Sequence, residues 1–110
     1  ELRLRNDLKQ IDVAALDRVV HAADRGRVDA LSVEEKLASF FRCCPFTVQM
    51  VAYDLRRKRL IGERGLQAVR ERRIEVNDPD GCRRLAERKG KPLTALMAEK
   101  AVSLGFSVRT

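Results

Sequence analysis

Arg56, Arg57, Lys58 and Arg59 set four cations side by side in a chain of 110 residues. Guanidinium and ammonium groups at that density either bind phosphate oxygens or form a solvated face. Gln49, a little upstream, carries an amide that can donate and accept at once, the chemistry that matches the edge of an adenine. Thr47 adds a hydroxyl beside it, and Phe46, Met50 and Tyr53 add apolar contact area. Arg70, Arg72 and Arg73 form a second basic group. From Arg56 to Lys91 there are 13 Lys or Arg against 6 acids, while residues 1–55 balance to −1 and residues 92–110 to +1. The net charge of +7 therefore lies in one segment, and that concentration favours phosphate contacts over a merely solvated face.

Other chemistry finds little to work with. His21 stands alone among apolar residues, with no nucleophile or carboxylate in a recognisable constellation, which is the usual setting of a surface or core-edge histidine. Cys43, Cys44 and Cys82 are an odd set with two adjacent members, a poor disulfide framework that points to a reducing compartment and hence to the cytoplasm, with the bacterial cytoplasm or nucleoid as the expected location. Without a paired CxxC or HxxxH spacing, no metal and no cofactor is expected. No phosphate loop, paired acid–base carboxylates or nucleophile with its base is recognisable, so an enzyme is the weakest reading. No apolar run approaches the roughly 20 residues of a membrane span, so no membrane partner is expected. Glu1 and Leu2 open the chain where a Met would stand, which reads as a piece of a longer protein.

The elements that must position these residues are mostly helices. Asp12 can cap a helix with the stripe Leu16, Val19, Val20 and Ala23, ending at Gly26. Ser32 and Glu35 form a capping box ahead of a helix carrying Leu37, Ala38 and Phe41. Arg42-Cys43-Cys44-Pro45 then breaks the periodicity for about the 3–4 residues that turn one helix against the next. A second helix is expected from Pro45 to about Arg59, with Val48, Val51 and Leu55 packed inward against Leu37 and Phe41. Phe46, Gln49, Met50 and Tyr53 face outward on it. Residues 73–76 alternate as a short strand would, and Gly62 and Gly65 allow a bend, so a hairpin wing tipped by Arg70, Arg72 or Arg73 is expected over 62–77. Leu66, Val69 and Arg73 fit a short helix there as well, and the wing is the favoured reading. Asp78-Pro79 starts a helix that Gly90 stops, with Leu85 and Ala86 inward and Arg83, Arg84, Arg88 and Lys89 outward. A last helix runs from about Pro92 to Leu104, with Gly105 and then Phe106 completing its end.

Leu31 to Ala86 resembles the winged-helix DNA-binding domain of bacterial regulators of the catabolite-activator and fumarate-nitrate-regulator type. The resemblance lies in LAxxFxxxPxTV from Leu37 to Val48, in Leu60-Ile61, in Ile74-Glu75-Val76 and in DPDGxxxLA from Asp78 to Ala86. It implies that the helix beginning at Pro45 enters the major groove of duplex DNA, with Phe46, Gln49 and Met50 in base-reading positions. The expectation is one domain, mainly α, a winged helix-turn-helix with additional flanking helices. Its parts are an N-terminal helix (1–30), the helix-turn-helix and wing (31–77) and C-terminal helices (78–110). Thr47 and Tyr53 complete the base-reading set, while Arg56, Arg57, Lys58, Arg59, Arg70, Arg72 and Arg73 take phosphates. The expected function is transcription regulation, and the broad apolar face of the last helix leaves room for a homodimer. A rival from another class is a protein-interaction adaptor, because Phe46, Met50 and Tyr53 at i, i+4 and i+7 would make one exposed apolar strip on a helix.

Overall fold

Local capping decides most of the helices. In the structure, a computed structural model, residues 2–5 and 10–109 are described, with side chains from residue 14 onward. The chain divides into two units, residues 1–40 and 41–110, each taken by itself below.

In the first unit β1 (Leu2–Arg5) pairs antiparallel with β2 (Gln10–Val13), Leu2 opposite Val13. That ladder occupies Asp12, so the helix expected to start there begins only at Leu16. It is short, α1 (Leu16–Val19), and stops where Val20 turns extended. A 3-10 stretch, Ala22–Ala30, follows, kinked at Arg27, and Gly26 lies inside it instead of ending a helix. The buried Asp24 carboxylate organises this stretch. Ser39 Oγ donates to it at 2.6 Å, Arg27 Nη2 bridges it at 2.9 Å, and Ser39 Oγ in turn accepts from the His21 N–H at 2.8 Å. His21 Nδ1 accepts from the Ala23 N–H at 3.0 Å and so caps the 3-10 turn. The helix α2 (Val33–Arg42) starts on the expected capping box, with the Ser32 N–H donating to Glu35 Oε1 at 2.9 Å and the Glu35 N–H to Ser32 Oγ at 3.1 Å. The Ser32 backbone N–H foremost, and its hydroxyl second, hold the Glu35 carboxyl below its ordinary value. Ala38, expected on the apolar stripe with Leu37 and Phe41, is exposed.

The second unit is built around a short strand, β5 (Arg73–Ile74), whose pairing extends to residue 77. On one side it pairs in parallel with β6 (Ser107–Val108), and the Arg109 N–H donates to the Ile74 carbonyl at 2.8 Å. On the other side residues 45–47 run antiparallel to it. Phe46 bridges Val76, the Thr47 N–H donates to the Glu75 carbonyl at 3.0 Å, and the Asn77 N–H donates to the Pro45 carbonyl at 2.8 Å. Strand side chains alternate between faces. Ile74 therefore enters the core with Phe46, Cys82, Met97 and Ala101, while Arg73 and Glu75 lie on the opposite face. The helices α4 (Pro79–Lys89) and α5 (Leu93–Leu104) connect β5 to β6. Their limits are the expected ones: Asp78 Oδ2 accepts from the Gly81 N–H at 3.2 Å, and Gly90 and Gly105 end the helices in left-handed conformation. The Asn77 Nδ2 group reaches the carbonyls of Phe41, Arg42 and Cys44 and fixes the chain entering this unit.

Three expectations are corrected here. No helix spans 45–59: Phe46 is extended, Thr47–Gln49 is a single 3-10 turn, and β3 (Ala52–Asp54) and β4 (Arg59–Ile61) form an antiparallel hairpin. A helix would have left Phe46 and Met50 in water, and burying each is worth about 1.5–3 kcal/mol, so the extended form that carries both inside wins. Leu55, expected in the core, is 82% exposed at the hairpin tip. Nor is there a wing over 62–77, because residues 63–71 form the helix α3 (Glu63–Glu71), the other reading that Leu66 and Val69 allowed. The mainly helical fold with one short hairpin in the second unit stands, with the hairpin ten residues earlier than expected.

Two measurements check this packing. Gly65 lies where α3 meets the backbone of Met50 and Val51. A Cβ there would come 2.5 Å from the Met50 carbonyl carbon and 2.6 Å from Val51 Cγ2. Gly65→Ala is expected to lower unfolding free energy in urea by about 2 kcal/mol or more, despite the roughly 1 kcal/mol that alanine gains in a helix. Thiol reactivity checks the second region. Burial, with Cys43 adding to it, pushes the Cys44 thiol up to about 12, and burial followed by the Asp78 carboxylate raises that of Cys82. Since the thiolate is the reactive form, one equivalent of iodoacetamide at pH 8 should modify Cys43 before either neighbour, read by peptide mass mapping. Equal labelling of all three would refute the burial of Cys44 and Cys82.

Candidate nucleic-acid interface

The hairpin presents its cations through a turn that its own sequence organises. Asp54 pairs with Arg59 across the last rung, leaving Leu55, Arg56, Arg57 and Lys58 as the loop. Asp54 Oδ1 accepts from the backbone N–H groups of both Arg56 and Arg57 at 3.0 Å, an Asx turn that closes the loop locally. These bonds, that from Arg57 foremost, hold the Asp54 carboxyl below its ordinary 3.8, so the turn keeps its clasp until the pH falls through that lowered value. Lys58 adopts a left-handed conformation, φ +54°, and turns the chain into β4. Asp54 was the residue that sequence reasoning missed, and an Asp directly before a basic turn was the signal that could have found it.

Ion pairing engages some of the basic residues and leaves others without a carboxylate. On α4, Arg83 meets Asp80 at 3.7 Å and Glu87 at 3.5 Å, and Arg84 meets Asp78 at 3.7 Å. On the hairpin only Arg57 has a partner, Asp54 at 3.9 Å, and among the described residues Arg56, Lys58 and Arg59 make no ion pair. All four hairpin cations are exposed. Three cations without an ion pair thus sit together at one tip, beside the exposed Leu55, while Arg70 and Arg72 at the end of α3 and Arg88 and Lys89 on α4 also make none among the described residues. Tyr53 and Leu60 face each other across the strands, each more than half exposed.

The other expected site residues scatter. Phe46 and Thr47 are buried at 0% and 2% exposure, and Met50 is buried too, so none of them can meet a base edge, and the expected apolar strip of Phe46, Met50 and Tyr53 does not exist. Gln49 is half-buried, and its Oε1 accepts from the Phe46 N–H at 3.0 Å, so its amide oxygen closes the 3-10 turn. Of the base-reading set only Tyr53 is exposed. Arg70 and Arg72 are exposed at the end of α3, where Arg72 takes a left-handed conformation. Arg73 is half-buried and meets Glu71 at 3.7 Å.

A second feature lies on the face of β5 away from the core. Arg73 on β5, Glu75 just after it, Arg109 just after β6 and Thr47 at the start of the 3-10 turn, with Arg64, Gln67 and Glu71 on α3, line a cavity of about 230 Å3. Arg109 Nε lies 3.2 Å from Glu75, and Gln67 Nε2 donates to Glu71 at 3.2 Å. Thr47 Oγ1, sealed from solvent, has no hydrogen-bond partner among the described residues, a state that costs about 1–3 kcal/mol. Among the described residues no group of three or more His, Cys, Asp or Glu is placed to hold a metal ion, and no helix is long and apolar enough to cross a membrane. No protein-family profile, curated protein or solved structure matches the chain.

Proposed function

We propose that this chain binds duplex DNA through the β3–β4 hairpin, which takes the part of a wing. The observation that carries the reading is the run of four exposed cations on a closed turn, three of them making no ion pair among the described residues. Cations held this way neutralise phosphates on the two sides of a groove without first breaking an ion pair. Leu55, 82% exposed directly before them, is the kind of apolar wedge that minor-groove proteins set against a base step. A two-stranded ribbon is narrow enough to lie in a groove, and contacts of this kind hold DNA largely without reading its sequence. With about four phosphate contacts, the affinity should fall with a log–log salt slope near −3.6.

Tyr53, Leu55 and Leu60 support a second reading, a protein-docking hairpin, because they expose apolar surface along one ribbon. Fluorescence anisotropy with a labelled mixed-sequence duplex between 20 and 200 mM salt separates the two. Salt-sensitive binding supports the DNA reading. Undetectable binding at low salt by protein with an intact helical circular-dichroism spectrum ends it and puts protein docking first.

A further inference from the structure

We infer that the cavity between α3 and the β5–β6 layer is a binding site for a tetrahedral oxyanion, a phosphate group, separate from the hairpin and independent of its role. Three guanidinium groups reach it from three different segments: Arg64 from α3, Arg73 from β5 and Arg109 from the residue after β6. Each is held by one close contact, Arg64 to Asn77 at 3.3 Å, Arg73 to Glu71 at 3.7 Å and Arg109 to Glu75 at 3.2 Å. A guanidinium has five N–H donors, so each keeps donors to spare. Thr47, 2% exposed, stands on the cavity wall with the one buried side-chain polar atom among the described residues that has no partner.

An unpaired buried hydroxyl is selected against unless something uses it. Here it belongs to the same wall as three arginines, and guanidinium donors from three segments with this hydroxyl behind them suit a tetrahedral anion better than a planar carboxylate. Glu71 and Glu75 meet Arg73 and Arg109 and offset two of the three positive charges, so the lining keeps a balance of +1, with Arg64 the guanidinium that meets no carboxylate. At about 230 Å3 the space is below the roughly 300–1,000 Å3 of pockets for drug-sized ligands and accommodates a single phosphate group. That group can be a free ion or the end of a nucleic-acid strand, and the chemistry is the same.

The experiment is a calorimetric titration of the whole chain with sodium phosphate, against sodium acetate at equal ionic strength, repeated with Thr47→Val and Arg73→Gln. The expected result is saturable phosphate binding, no acetate binding, and about tenfold or greater weakening in Arg73→Gln. Thr47→Val keeps the shape and removes the hydroxyl, so it should bind phosphate several-fold more weakly while unfolding at an equal or higher temperature in its absence. A merely structural threonine would not give that opposition. Tighter binding of a 5′-phosphorylated than of a 5′-hydroxyl oligonucleotide, with the preference abolished by Arg73→Gln, assigns the site to strand ends. Equal binding of the two, with orthophosphate still bound, assigns it to the free ion. Absence of saturable orthophosphate binding, or identical binding by all three proteins, overturns the proposal and leaves the hairpin reading untouched.

Discussion

Phe46→Ala should cost about 3–5 kcal/mol of stability, as expected for emptying a fully buried aromatic site. Phe46 has 0% exposure and packs with Ile74, Cys82, Met97 and Ala101, while its backbone bridges Val76. It therefore ties the 45–47 segment to β5 both through the side chain and through the main chain. Small domains have total stabilities near the low end of 5–15 kcal/mol, so a loss of this size should populate the unfolded state visibly. Leu55→Ala is the paired measurement. On a helix over 45–59 it would be the damaging change and Phe46→Ala the mild one, whereas on the hairpin it should stay within about 0.5 kcal/mol of the parent. Urea denaturation of the two variants distinguishes the folds, and a larger loss for Leu55→Ala would refute the hairpin.

The second large effect is on binding. Replacing Arg56, Arg57 and Lys58 together by alanine should reduce the salt slope by about 2–3 units, near 0.9 for each lost phosphate contact, and weaken binding to all duplexes alike. The folded state should survive, because these side chains are exposed and the Asx turn depends on Asp54 and on backbone N–H groups that alanine retains. A matched variant on α4, with Arg83 and Arg84 replaced by alanine, should change the slope much less, since both already meet carboxylates. Equal slopes for the two variants would mean that diffuse charge holds the DNA and the hairpin has no special part. Gln49→Ala should leave sequence preference unchanged and act on stability, because the Gln49 Oε1 accepts from the Phe46 N–H.

What was legible in the sequence is what depends on neighbours along the chain. The Ser32–Glu35 box, the Asp78-Pro79 start and the glycines at 90 and 105 delimit α2, α4 and α5, because a cap is a bond between residues a few positions apart and needs no distant partner. The segregation of charge into 56–91 is likewise a property of the sequence alone. The stretch from Pro45 to Val76 was not decided locally. Val48, Val51 and Leu55 have helical spacing, yet Phe46 gains more from the core formed by α4, α5 and β5, and residues 45–47 gain hydrogen-bond partners in 75–77, some thirty positions away. Those partners are absent from any window of sequence short enough to show periodicity. The shift of the hairpin from 62–77 to 52–61 has the same cause. Once Phe46 and Met50 turn inward, the chain must reverse before α3, and Asp54 and Lys58 supply the bonds and the backbone conformation for that reversal. The gathering of Arg64, Arg73, Arg109 and Thr47 around one cavity has no trace in sequence spacing, since only the parallel pairing of β5 with β6 brings residues 73 and 109 together.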